Sequence, residues 1–195
     1  MSEPEVKVEV VKEIKLPGGR TVKVFRDTSA ANPRLGEEVR TRFLFLHKYH
    51  NLGDQHDYQT PAEIEKVVNG LDEIVLAPVF MLEEPKGKVL LDMEPFVGES
   101  DRCGQLGVMY INRESVEELF GSWSHETRVQ ALYLLEEDLR VYCEWLNDDF
   151  YGFILYDADG SVMVQETGYV GSDHASSGLY DDAGVELDHN CLPVE

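Results

Sequence analysis

A long amphipathic helix is the feature of this sequence that most limits what the chain can fold into. Between Ser124 and Asn147, apolar side chains recur every three or four residues, as they do along one face of an α-helix. The stripe consists of Val129, Leu132, Leu135, Leu139, Tyr142 and Leu146. Ser124 is a suitable N-cap for this helix. Hydrophobic residues make up 43% of the chain, which is enough for one sizeable core.

Alternating apolar and polar residues predict strands on both sides of this helix. Residues 6–10 alternate and the run continues to Leu16, where it meets the turn Pro17-Gly18-Gly19. Residues 21–25 then resume the alternation, which predicts a β-hairpin. A second hairpin is predicted over 150–170, around the turn at Asp157–Gly160.

Two shorter helices complete the predicted fold. Thr60, Pro61 and Glu63 have the residue types and spacing of a helix N-terminus. Another helix is predicted over 113–120. We therefore expect an α+β fold: a mixed or antiparallel sheet with two hairpins, one long amphipathic helix and two shorter helices.

The sequence predicts a single acidic domain over residues 1–171. Residues 172–195 are rich in Gly, Ser and Asp and have no basic residue, which predicts an acidic, mobile C-terminal tail.

Cysteine usage and hydropathy predict a cytoplasmic protein, in the cytosol of a host cell. Cys103, Cys143 and Cys191 are scattered and form no CxxC pair, which is not typical of a disulfide framework or a zinc site. The apolar runs are too short to span a bilayer, and the first residues do not have the pattern of a secretory signal.

Charge is the extreme property of the chain, with 17 basic and 38 acidic side chains and a formal net charge of −21. Residues 1–48 carry ten basic and seven acidic side chains, whereas residues 49–195 carry seven and 31. Such a field repels nucleic acid and anionic membranes and attracts basic proteins. We therefore expect a basic protein partner, with neither direct nucleic-acid binding nor membrane binding.

Three segments carry a resemblance to a known group of proteins. They are FLFLHKYHNLGDQHDY (43–58), RCGQLGVMYINRESVEELFG (102–121) and LRVYCEWLNDDFYGFILYDADGSVMVQETGYVG (139–171). Together they resemble a family of uncharacterised proteins from bacteriophages and other mobile elements. The resemblance covers residues 22–171 and implies a mobile-element context and a single α+β domain. It implies no activity and no catalytic residues.

A dense polar segment over residues 47–57 holds the candidate metal ligands. His50, Asp54 and His56 would converge if the turn at Gly53 folds the segment back, and imidazole with carboxylate binds zinc or other transition metals. The spacing matches no metalloenzyme motif such as His-Glu-x-x-His. The alternative is a hydrogen-bonded turn in which Asp54 bonds local amides.

Acidic residues crowd the long helix and the hairpin that follows it. They are Glu136, Glu137, Asp138, Glu144, Asp148, Asp149, Asp157 and Asp159, and only Arg140 lies among them. Carboxylates one helical turn apart have a spacing comparable to that of DNA phosphates. The alternative is a solvated surface that only keeps the protein soluble.

These patterns lead to one main hypothesis and two alternatives. The first is a non-enzymatic phage or mobile-element protein that inhibits a host nucleic-acid-binding enzyme through DNA-like charge, as an anti-restriction, anti-CRISPR or repair-enzyme inhibitor. It needs no cofactor and no catalytic residue. The second is a small metal-binding protein or metal-dependent enzyme that uses the segment His47–Asp57. The third is an acidic interaction module without mimicry.

Overall fold

The computed structural model describes residues 9–36, 38–97 and 103–187, together with residue 193. Residues 6–8 of the first predicted strand, Arg102, Cys191 and most of 188–195 therefore lie outside the described residues. Eight strands lie within them: β1 (Val10–Lys15), β2 (Thr21–Arg26), β3 (Arg42–Phe45), β4 (Ile74–Glu83), β5 (Val89–Asp92), β6 (Cys103–Asn112), β7 (Phe150–Tyr156) and β8 (Val162–Val170). The α-helices are α1 (Pro61–Val68), α2 (Arg113–Phe120), α3 (His125–Leu146) and α4 (Leu179–Asp182).

The strands form two antiparallel four-stranded sheets, which confirms the α+β class. One sheet has the order β1-β2-β7-β8, and the other has the order β3-β6-β4-β5. Both predicted hairpins are confirmed, as β1–β2 and β7–β8. The long helix and the two shorter helices also form over the predicted segments.

The chain divides into two compact units, whereas the sequence suggested one domain. The first unit comprises Met1–Ala31 and Glu144–Glu195, and the second comprises Asn32–Cys143. The first unit joins distant parts of the chain because β2 pairs with β7, with Val24 opposite Phe153. Alternation within a strand does not show which strand it pairs with, so this division has no signal in the sequence.

Four residues between 172 and 187 belong to the core of the first unit, so this described part of the segment differs from the expected mobile tail. Leu179, Tyr180, Ala183 and Val185 are buried in one cluster with Val22, Val24 and Phe153 of the sheet. Few apolar residues lie among the Gly, Ser and Asp residues of this segment, but these four are close together on and after α4. Their burial outweighs the polar composition that suggested disorder.

A histidine beside this cluster links the stability of the fold to pH. Nδ1 of His174 lies 2.8 Å from the hydroxyl of Tyr180, and its ring meets that of Tyr151 edge-on. Burial lowers the pKa of His174, and Asp173 opposes this shift. As the pH falls, the unfolded chain therefore takes up this proton before the folded chain does.

We predict that the stabilising contribution of neutral His174 is complete above about pH 6.5 and is lost as the pH falls below that value. In the variant His174→Asn, a side-chain acceptor is kept but the titration is removed. Chemical denaturation between about pH 7.5 and pH 5.5 should show that the wild type loses more stability than the variant. Parallel profiles would contradict the prediction.

The helices of the second unit follow from their local sequence. The Thr60 side chain accepts a hydrogen bond from the backbone N–H of Glu63 at the start of α1, and Pro61 is its first residue. Ile64 and Val68 of α1 are buried against Leu44 of β3.

The buried face of α3 differs in part from the predicted stripe. Leu135, Leu139 and Tyr142 are buried as expected, together with Ala131, but Val129 and Leu132 are each 39% exposed. Leu132 lies about 60° around the helix from Leu135, and Val129 lies about 120° around it.

No helix of the described residues is long and apolar enough to cross a membrane.

Candidate functional site

Two histidines of the polar segment 47–57 meet a carboxylate from a different part of the second unit. His47 follows β3, Glu83 ends β4, and Nε2 of His47 lies 3.5 Å from Oε1 of Glu83. The ring of His50 stacks on that of His47, with centroids 5.0 Å apart and an interplanar angle of 11°. One potential ligand atom from each of the three residues lies within 4.8 Å of the others. No other such group of three or more occurs in the described part of the chain.

The predicted ligand set of His50, Asp54 and His56 does not form such a group among the described residues. Nε2 of His56 donates a hydrogen bond to the carbonyl oxygen of Phe45 at 3.0 Å, and its ring stacks on Tyr58. Asp54 belongs to a separate ion-pair network. Of the predicted set, only His50 lies at the His-His-Glu group.

The network around Asp54 is structural. Arg34 is almost wholly buried, and its guanidinium group donates to both carboxylate oxygens of Asp54, at 2.9 and 3.2 Å. It also donates to the hydroxyl and carbonyl oxygens of Thr41, at 2.9 and 2.8 Å, and stacks over the ring of Phe43. Asp54 therefore balances a buried positive charge.

The predicted acidic residues in the second unit differ in their surroundings. Glu136 and Glu137 are exposed on α3, whereas Asp138 is partly buried. Asp138 lies 3.6 Å from Arg34 and accepts a hydrogen bond from the Thr41 hydroxyl. Two hydrogen bonds from Arg140 lower the pKa of Glu137.

The other five predicted acidic residues lie in the first unit. Asp149 is only 4% exposed and forms an ion pair with Arg26 at 3.3 Å, so its charge is used internally. Asp157 and Asp159 are exposed in the β7–β8 turn and accept hydrogen bonds from nearby backbone N–H groups. Hydrogen bonds from Ser161, chiefly that of its backbone N–H, lower the pKa of Asp159. The remaining two are Glu144, which is half-buried, and Asp148, which is exposed.

Apolar residues on the exposed side of α3 were not predicted as part of any site. Tyr133 is 66% exposed, and it lies on the same side of the helix as the partly exposed Val129 and Leu132. We use the name α3 outer face for the set of five residues Val129, Leu132, Tyr133, Glu136 and Glu137. The helical spacing in the sequence could have indicated this face, since Val129 is too far around the helix from Leu135 to share its buried side. The sequence could not have indicated Glu83 as a neighbour of His47, because their proximity depends on strand pairing.

No family model, curated protein or solved structure matches the chain. The resemblance to phage and mobile-element proteins therefore stays a prediction.

Proposed function

We propose that the protein binds the basic nucleic-acid-binding surface of a host enzyme and blocks it, as an accessory protein of a phage or other mobile element. The observation that carries the proposal is the α3 outer face, where exposed apolar side chains lie beside exposed carboxylates. The formal net charge of −21 supports a basic partner.

The two parts of the α3 outer face have different physical roles. Tyr133 is an exposed aromatic side chain, and aromatic residues contribute much of the binding energy at protein interfaces. Glu136 and Glu137 place negative charge beside it, and charge complementarity accelerates association and selects the partner. Among the described residues Glu136 has no ion-pair partner. Its charge therefore acts on a partner without breaking an internal pair.

Six of the eight predicted acidic residues lie outside the α3 outer face, and the surroundings of two of them argue against a role in binding a partner. Asp138 is partly buried beside Arg34 and Asp149 is buried beside Arg26, so a partner would have to compete with internal ion pairs that it can hardly reach. Glu137 also pairs with Arg140, but both of these side chains are exposed. The proposed contact surface is therefore smaller than the acidic face expected from the sequence. It also includes an apolar component, which is typical of stable interfaces and not of a purely solubilising surface.

The proposal predicts salt-sensitive capture of a nucleic-acid-binding protein. The immobilised protein is incubated with nuclease-treated bacterial lysate and eluted either with salt or with duplex DNA. We expect the same enzyme in both eluates, because salt screens the charges and DNA competes for the same basic surface. Added protein should then inhibit DNA binding by the purified enzyme.

A matched pair of variants locates the contact. Tyr133→Ala combined with Glu136→Gln should weaken binding to that enzyme by at least about tenfold. Tyr49→Ala combined with Asp72→Asn removes an exposed tyrosine and an exposed carboxylate outside the α3 outer face, and it should bind as the wild type does. Capture that resists both salt and DNA, or equal binding by the two variants, would contradict the proposal.

A further inference from the structure

We propose that His47, His50 and Glu83 form a binding site for a single Zn²⁺ ion. The site is separate from the proposed function, because none of its residues belongs to the α3 outer face.

Strand direction explains why His47 and Glu83 meet. Both β3 and β4 pair antiparallel with β6, so they run in the same direction. Phe45 and Val79 lie opposite the same residue of β6, Gly107. The C-terminal ends of β3 and β4 therefore lie at the same end of the sheet. His47 lies just beyond the end of β3, and Glu83 is the last residue of β4. The sheet itself positions two of the three ligands.

The donor set fits zinc better than the common hard cations. Two imidazoles and one carboxylate are a set that proteins use for Zn²⁺, with water in the remaining position. Calcium and magnesium select oxygen ligands instead. The side chains of His47 and Glu83 are 15% and 35% exposed, and His50 is exposed. The ion therefore has a path from solvent and an open coordination position.

Metal binding requires a change at His47. The backbone N–H of Tyr49 donates to Nδ1 of His47 at 3.4 Å, so Nδ1 is the unprotonated nitrogen. Zinc bound at Nε2 of the neutral ring leaves the proton on Nδ1, whereas zinc bound at Nδ1 uses the lone pair of that nitrogen. In either case Nδ1 can no longer accept a hydrogen bond from the N–H of Tyr49. Zinc uptake is therefore coupled to release of this bond and to movement of the amide of Tyr49.

The test is calorimetric titration of the full, untagged chain with zinc chloride after removal of metal with EDTA. We expect one zinc ion per chain and a thermal unfolding midpoint that rises with zinc concentration, since zinc binds the folded state. Cobalt titration should give the visible absorption of a four-coordinate ion. The amide resonance of Tyr49 should shift on zinc addition.

Two pairs of variants assign the ligands. His50→Gln and Glu83→Gln should each weaken zinc binding by at least about tenfold, because even indirect support of a metal ligand is worth that much. His125→Gln and Glu84→Gln alter an exposed histidine and the residue next to Glu83, and both should bind zinc as the wild type does. A cooperative thermal unfolding transition of each variant, recorded in EDTA, shows that the variant is folded without metal. The assignment is overturned if zinc does not bind, or if either ligand variant binds as tightly as the wild type.

Discussion

Replacing Asp54 with asparagine is expected to lower the free energy of unfolding by about 3 kcal/mol, because it leaves a buried arginine without its closest counter-ion. The side chains of Arg34 and Asp54 are 3% and 12% exposed. The Asp54 carboxylate also accepts a hydrogen bond from the backbone N–H of Phe43 at 3.0 Å, near the start of β3. Asparagine keeps one acceptor oxygen but removes the charge.

A second carboxylate limits this loss. Asp138 lies 3.6 Å from Arg34 and is 31% exposed, so part of the positive charge stays compensated in the variant. This places the expected loss at the lower end of the range of about 3–5 kcal/mol for breaking a buried pair. Removing both carboxylates, as Asp54→Asn with Asp138→Asn, is expected to cost more than the sum of the two single changes.

Urea denaturation followed by circular dichroism measures the effect. The matched control is Asp57→Asn, which removes an exposed carboxylate three residues further along the same segment. This control should change the stability by less than about 0.5 kcal/mol. Equal stability of the two variants would show that Arg34 does not depend on Asp54.

Local signals in the sequence predicted the secondary structure. The cap formed by Thr60 and the proline after it identify the start of α1, and the Pro17-Gly18-Gly19 turn identifies the first hairpin. Such signals depend on residues within a few positions of each other, so they can be interpreted without knowledge of the fold.

Contacts between distant residues could not be predicted in this way. Glu136 and Asp149 belong to the same group of acidic residues in the sequence. In the structure, however, Glu136 is exposed and Asp149 is buried beside Arg26. Only the tertiary structure separates a carboxylate available to a partner from one that balances an internal charge. The metal ligands show the same limit, because Glu83 joins His47 only through the pairing of β3 and β4 with β6.

Replacing Gly107 with alanine is expected to lower the free energy of unfolding by more than about 4 kcal/mol, an exceptional loss for one methyl group. Gly107 lies in β6 between Phe45 of β3 and Val79 of β4. An added Cβ atom would overlap the carbonyl oxygen of Leu44 and lie 3.0 Å from Cα of Phe45. These are backbone atoms, so they cannot move aside without separating β3 from β6.

Gly104→Ala is the matched control on the same strand. A Cβ atom there would meet no described atom within 4 Å, and the change should be neutral or stabilising by up to about 1 kcal/mol. Urea denaturation of both variants tests the difference, and equal stabilities would contradict the close approach of β3 to β6. Because β3 leads directly to His47, Gly107→Ala should also weaken zinc binding in any fraction that still folds. Gly104→Ala should bind zinc as the wild type does.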